Sequence, residues 1–187
     1  MEGVNAVISG AEEAMKGKVE KFKRELTSLR TGRANPQLLD SLYVEYYGSR
    51  VPLKQVAAVS IPEARTLEVR VWDKGAVDAV ESELRKMDLG TSPARQGDVI
   101  RINLPPMTED QRKKMVKVVH SMGEDARVAI RNERRDALEK IKKAEKAKEI
   151  SEDDIKRHEV TVQKLTDTYV KMIDDVAGSK EKELLTV

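Results

Sequence analysis

Apolar residues recur at steps of three and four over the first thirty positions: Ile8, Ala11, Met15, Val19, Phe22, Leu26 and Leu29. That spacing predicts one stripe of an amphipathic helix. A second series, Met115, Val119, Met122, Ala126, Ile130, Ala137 and Ile141, predicts a helix over 107–148, about 60 Å long at 1.5 Å per residue. A third keeps a seven-residue interval through Ile155, Val162, Tyr169 and Val176, with Leu165 and Met172 between. Three heptad-like seams point to a left-handed three-helix bundle. Thr108 with Gln111, and Ser151 with Asp154, have the spacing of capping pairs that start the second and third helices.

Between the first two helices the period falls to two. Leu67, Val69 and Val71 alternate with Glu68 and Arg70; Ile100, Ile102 and Leu104 alternate with Arg101 and Asn103. Leu42–Tyr47 is rich in β-formers and runs into Gly48-Ser49, a turn signal. Residues 76–89 suit a short helix stopped by Gly90, and Trp72, ending its strand, reads as a packing residue. The fold class is therefore α+β. Residues 1–30 and 106–187 form the long bundle, and 31–105 a small inserted β/α/β domain.

The chain leaves the bundle at Thr31-Gly32 and returns at Leu104-Pro105-Pro106. Gly32 can adopt the left-handed conformation that closes a helix, and Pro36 discourages resumption. The two prolines hold the return segment extended. Two short, adjacent connectors at 30–33 and 104–106 predict a hinge between rigid bodies. The alternative is that Gly32 only caps a helix between rigidly packed domains.

Composition narrows the chemistry. The 187 residues contain no cysteine, which excludes disulfides, a thiolate nucleophile and Cys-based zinc sites. Two histidines, His120 and His158, fall on charged helices and read as surface or seam-flanking residues; Asp153-Asp154 reads as helix-start chemistry. No Walker loop, H-E-x-x-H, G-x-S-x-G or dinucleotide fingerprint occurs, so no enzyme, metal or cofactor is expected. The Met-Glu-Gly start lacks a basic, apolar leader, and no run approaches the roughly 18 apolar residues of a membrane span. A soluble, cytoplasmic protein is expected.

Net charge is only +2, but its distribution is uneven. Residues 31–105 hold ten basic and ten acidic side chains, 107–148 hold thirteen against eight, and 149–187 six against ten. Within the basic segment, Arg127, Arg131, Arg134 and Arg135 share one flank of the predicted helix, away from its apolar seam. Arg131 has arginines and no acid at its three- and four-residue spacings. Like charges so placed destabilise a helix by a few tenths of a kcal/mol. They point either to an external polyanion, for which guanidinium forks suit phosphates, or to neutralisation by acids of the third helix. Arg30 and Arg33 flank the connector. Arg30 can complement a helix dipole, yet two basic sites along one rod also suit a long nucleic acid. A helical adaptor whose seams pair with other proteins is the alternative from another class.

Six stretches in order carry a resemblance over nearly the whole chain: RTGRANP at 30–36, VEYYG at 44–48, DLG at 88–90, LPPMTED at 104–110, ARVAIRNERRDA at 126–137 and EISEDD at 149–154. The chain resembles the bacterial-type ribosome recycling factors (ribosome-releasing factors). The resemblance implies a three-helix bundle and an inserted β/α/β domain in an L-shaped outline like that of tRNA. It implies binding of the bundle to large-subunit ribosomal RNA of the 70S-type ribosome. Elongation factor G would then hydrolyse GTP and drive the subunits apart, releasing mRNA and deacylated tRNA, with the factor a monomeric lever that carries out no chemistry. Carried over by motif, Arg131 and Arg134 are the rRNA-facing residues, with Arg127, Arg135, Arg30 and Arg33 as further contacts. Two positions depart from the family pattern. Glu133 replaces an apolar residue near the centre of the seam and needs a partner or water, and Gln111 stands where many relatives have a basic residue.

Overall fold

Val4, Ala11, Met15, Val19, Phe22 and Leu26 are buried along one face of α1 (Glu2–Thr27) in the computed structural model, which describes residues 2–186. The helix ends at Thr27, earlier than the apolar stripe predicts, and Leu29 lies beyond it, half-buried. Contacts divide the described chain into two units: residues up to Leu26 with Val116–Thr186, and Thr27–Met115.

The first unit is helical. It comprises α1, most of α3 (Glu109–Lys146) and α4 (Glu152–Leu185). Val4 and Ala11 of α1, Ala137 and Ile141 of α3, and Ile150 with Val162 share one buried cluster. Farther along, a Cβ on Gly123 would lie 3.7 Å from both Phe22 Cζ and Ala177 Cβ, an ordinary van der Waals distance, so α1, α3 and α4 meet around this position. Tyr169 donates its hydroxyl to Glu12 at 3.1 Å, tying α4 to α1. Its phenol is pushed up, first by burial and then by that carboxylate.

Both capping pairs form. Thr108 and Gln111 exchange bonds at 3.0 and 3.2 Å, and Ser151 and Asp154 make a full capping box. Gln111 is thus occupied in starting α3. Val162 and Tyr169 of the seven-residue series are buried on α4 as expected, but the intervening positions are displaced by one residue. Thr166 and Ile173 are buried where Leu165 and Met172 were expected, and Met172 is exposed. Thr166 can occupy the core because its hydroxyl donates to the Val162 carbonyl at 2.8 Å.

The second unit holds an antiparallel sheet of order β3-β4-β6-β5: β3 (Ala57–Glu63), β4 (Thr66–Val71), β5 (Ala94–Gln96) and β6 (Val99–Asn103). A separate hairpin joins β1 (Tyr43–Tyr46) to β2 (Ser49–Pro52), turning at Tyr47 and Gly48 with φ of 48° and 78°. Positive φ at both turn residues matches the twist of hairpin strands. Leu67 pairs with Ile102 and Val69 with Ile100, all fully buried. Val77, Val80 and Leu84 of α2 (Val77–Lys86) join the same core. That helix stops at Lys86, and Met87 is already extended, short of the glycine stop expected at Gly90. Trp72 is 62% exposed, so the packing role read from the sequence is corrected. The strand ends at Val71, and the Trp72 N–H donates to the Val56 carbonyl at 3.1 Å.

Candidate nucleic-acid interface

The regular turn of α3 places Arg127, Arg131, Arg134 and Arg135 on one flank, but their partners differ. Arg127 is neutralised twice. Its Nε donates to Glu124 at 3.0 Å and its Nη1 to Asp174 of α4 at 2.6 Å, and only 22% of the side chain is exposed. Partial burial opposes the charged form, yet the two carboxylates outweigh it and the guanidinium holds its proton more tightly than usual. Arg131 makes a long contact of 3.4 Å to Glu124, one acid at a seven-residue spacing that helix-neighbour reasoning passes over. Glu124 is held below the usual carboxylate range, chiefly by Arg127.

Arg134 meets no carboxylate among the described residues. Its Nη1 donates to the neutral Gln163 side chain at 2.9 Å, and its Nε is buried without an acceptor. Arg135 is exposed and has no partner among the described residues. The two readings of the cluster therefore divide by residue: acids take Arg127, while Arg134 and Arg135 keep uncancelled charge. Glu133, half-buried between Ile130 and Ala137 on the seam, lies 3.8 Å from Lys18 of α1, which supplies the partner its position demanded.

The connector arginines separate as well. Arg30 lies beyond Thr27, the last residue of α1. Its guanidinium packs where a Cβ on Gly90 would lie 3.0 Å from Nη2 and 3.3 Å from Pro105 Cγ; its Nε is buried and unbonded. Arg33 is exposed. Thr31 and Gly32 are buried, and Gly32 takes φ +84°, the left-handed conformation expected of it. The Ala34 N–H donates to the Ala64 carbonyl at 2.8 Å and the Leu104 N–H to the Arg65 carbonyl at 2.7 Å. Both connectors are thus pinned to adjacent peptides of the β3–β4 turn. Pro105 is half-buried and Pro106 exposed.

Among the described residues no group of three or more His, Cys, Asp or Glu could hold a metal ion, and no helix is long and apolar enough to cross a membrane. His120 bonds Glu181 at 2.8 Å on the surface.

Sequence reasoning missed Gln163, Asp167 and Asp174. Their four- and seven-residue spacing puts them on one face of α4. Folding two helices back at the turn near 147–151 brings residues equidistant from it side by side, and that signal was present in the sequence.

The sequence profile described as Ribosome recycling factor matches residues 22–185. The ribosome-recycling factor of Symbiobacterium thermophilum is 50% identical over 181 residues, covering 97% of this chain and 98% of the relative. A solution structure of the ribosome recycling factor superposes with a TM-score of 0.79 at 43% identity, covering all of both chains. A second structure, from models of the T. thermophilus ribosome recycling factor and the E. coli elongation factor G bound to the E. coli post-termination complex, gives 0.66 at 46% identity over 97% of this chain and 98% of that one. With helices, inserted sheet and sequence agreeing over nearly its full length, the chain belongs to the ribosome recycling factor family.

Proposed function

We propose that this chain disassembles post-termination ribosomes into subunits together with elongation factor G and GTP, freeing mRNA and deacylated tRNA for a new round. It acts in the cytoplasm as a monomeric lever docked on large-subunit ribosomal RNA, and GTP is used by the elongation factor. The models of a relative and elongation factor G bound to a post-termination complex support this partnership. The observation that carries the RNA contact is the uncancelled charge at Arg134 and Arg135, beside the half-exposed Arg131. Guanidinium groups without a carboxylate gain most from phosphate. Arg33 is an outlying contact. Arg127 adds to the field more than to direct bonding, and Arg30 supports the connector.

Thr31, Gly32, Leu104, Pro105 and Pro106 form the hinge of this lever. The decisive experiment is a splitting assay on post-termination ribosomes with and without elongation factor G and GTP. Splitting that needs all three components is expected. Arg134→Ala is expected to weaken large-subunit binding about tenfold, on the scale of one charge-assisted bond, without changing the unfolding temperature. Binding equal to wild type in low and moderate salt would remove the arginine assignment.

A further inference from the structure

Resting on the reading that Arg134 meets ribosomal RNA, we propose that Gln163 is a positioning residue for that guanidinium, orienting it through a neutral carbonyl so that its charge remains available to phosphate. The α4 face opposite the arginines does carry acids, and Asp174 closes directly on Arg127. At Arg134 the arrangement differs. Gln163 Oε1 accepts from Arg134 Nη1 at 2.9 Å, and Gln163 Nε2 donates to Asp167 Oδ1 at 2.8 Å.

An ionised carboxylate only accepts, so Asp167 draws the amide N–H toward itself and turns the carbonyl oxygen to Arg134. The acid orients the amide while its charge stays one side chain removed from the guanidinium. The protein thereby limits the rotamer freedom of a long cation without cancelling it, which lowers the ordering cost at binding. A glutamate at 163 would place its oxygen in the same position and cancel the charge, as happens at Arg127. Arg134 Nε is buried without an acceptor, so phosphate is met by the terminal nitrogens and not by this donor.

The test compares full-length wild type with Arg134→Ala, Gln163→Glu, Gln163→Leu and Asp167→Asn, binding to purified large ribosomal subunits over a series of salt concentrations. Gln163→Glu is expected to bind several-fold more weakly at low salt and to lose about one from the log–log salt slope, because one cation no longer displaces a counterion. Gln163→Leu is expected to lose affinity several-fold with its salt slope unchanged. Asp167→Asn is expected to fall between wild type and Gln163→Leu, since its carboxamide no longer dictates the amide's direction. Unfolding temperatures monitor the fold, and the near-isosteric glutamate keeps the test informative if leucine disturbs the bundle. Either Gln163 variant binding as wild type, with Arg134→Ala weakened, overturns the positioning role alone. Arg134→Ala binding as wild type overturns the parent reading instead.

Discussion

The Asn35 side-chain amide donates to the Thr27 carbonyl, the last of α1, at 3.1 Å. Its Oδ1 accepts from the Gln37 N–H at 3.0 Å, opening the short 3-10 turn Pro36–Leu39. One side chain therefore ends one helix and begins the next turn. Asn35→Ala is expected to cost about 1–2 kcal/mol, a cap plus a satisfied carbonyl, measured by denaturant unfolding. Asn35→Asp keeps only the acceptor and should recover part of the loss. An alanine variant as stable as wild type would show that water replaces both bonds.

Gly32 combines φ +84° with room for a methyl group in ordinary van der Waals contact, a Cβ there meeting Met107 Cγ at 3.5 Å. Gly32→Ala therefore strains the backbone by roughly 1–2 kcal/mol without a clash. Hinge rotation predicts that the variant loses subunit splitting to a greater degree than ribosome binding. Equal losses in the two assays would argue against rotation at this connector.

The C-terminus of α3 closes with the Lys148 N–H on the Glu145 carbonyl at 2.7 Å and the Glu149 N–H on the Ala144 carbonyl at 3.0 Å. This pairing is the Schellman closure, with Lys148 at φ +58° where glycine is favoured. Lys148→Gly is expected to raise stability by up to about 1 kcal/mol, read as an increase in melting temperature. A decrease would mean that the lysine side chain contributes more than its backbone strain costs.

Asp154 is held below the usual carboxylate range by the Ser151 hydroxyl first, then the Ser151 backbone N–H, with Arg157 adding to them. A carboxyl depressed on folding contributes stability above its unfolded pKa, and that contribution is lost as pH falls through the folded value. Ser151→Ala should therefore be less stable than wild type at neutral pH. The gap should narrow as pH falls below the ordinary aspartate range. Thermal unfolding across pH 7 to pH 2.5 checks this, and a pH-independent gap would assign the whole effect to the hydroxyl's bond with the Asp154 N–H.

Local signals carried the sequence reading furthest where side chains were buried at a fixed period. The stripe of α1, the caps at Thr108 and Ser151, and the paired interior strands β4 and β6 were all legible. Strands β2, β3 and β5 were not, because edge strands need no apolar alternation. Ala94–Gln96 is wholly exposed, and β3 carries Pro62 and a register shift between Ser60 and Glu63. The end of α1 was misplaced because Asn35, eight residues beyond Thr27, supplies the terminating bond. In the arginine flank, composition gave the charges but not which were cancelled. Asp174 and Gln163 act across a helix pair, and the difference between an acid and an amide at that spacing decides which cation stays open.

Ala34 and Leu104 hang from neighbouring peptides of a single turn. Within the second unit, the segment entering the sheet and the one leaving it therefore converge on that turn, like two threads knotted at one bead. Strain introduced at either thread is felt at the same two peptides, so a change in the Ala64–Arg65 turn reaches both segments at once.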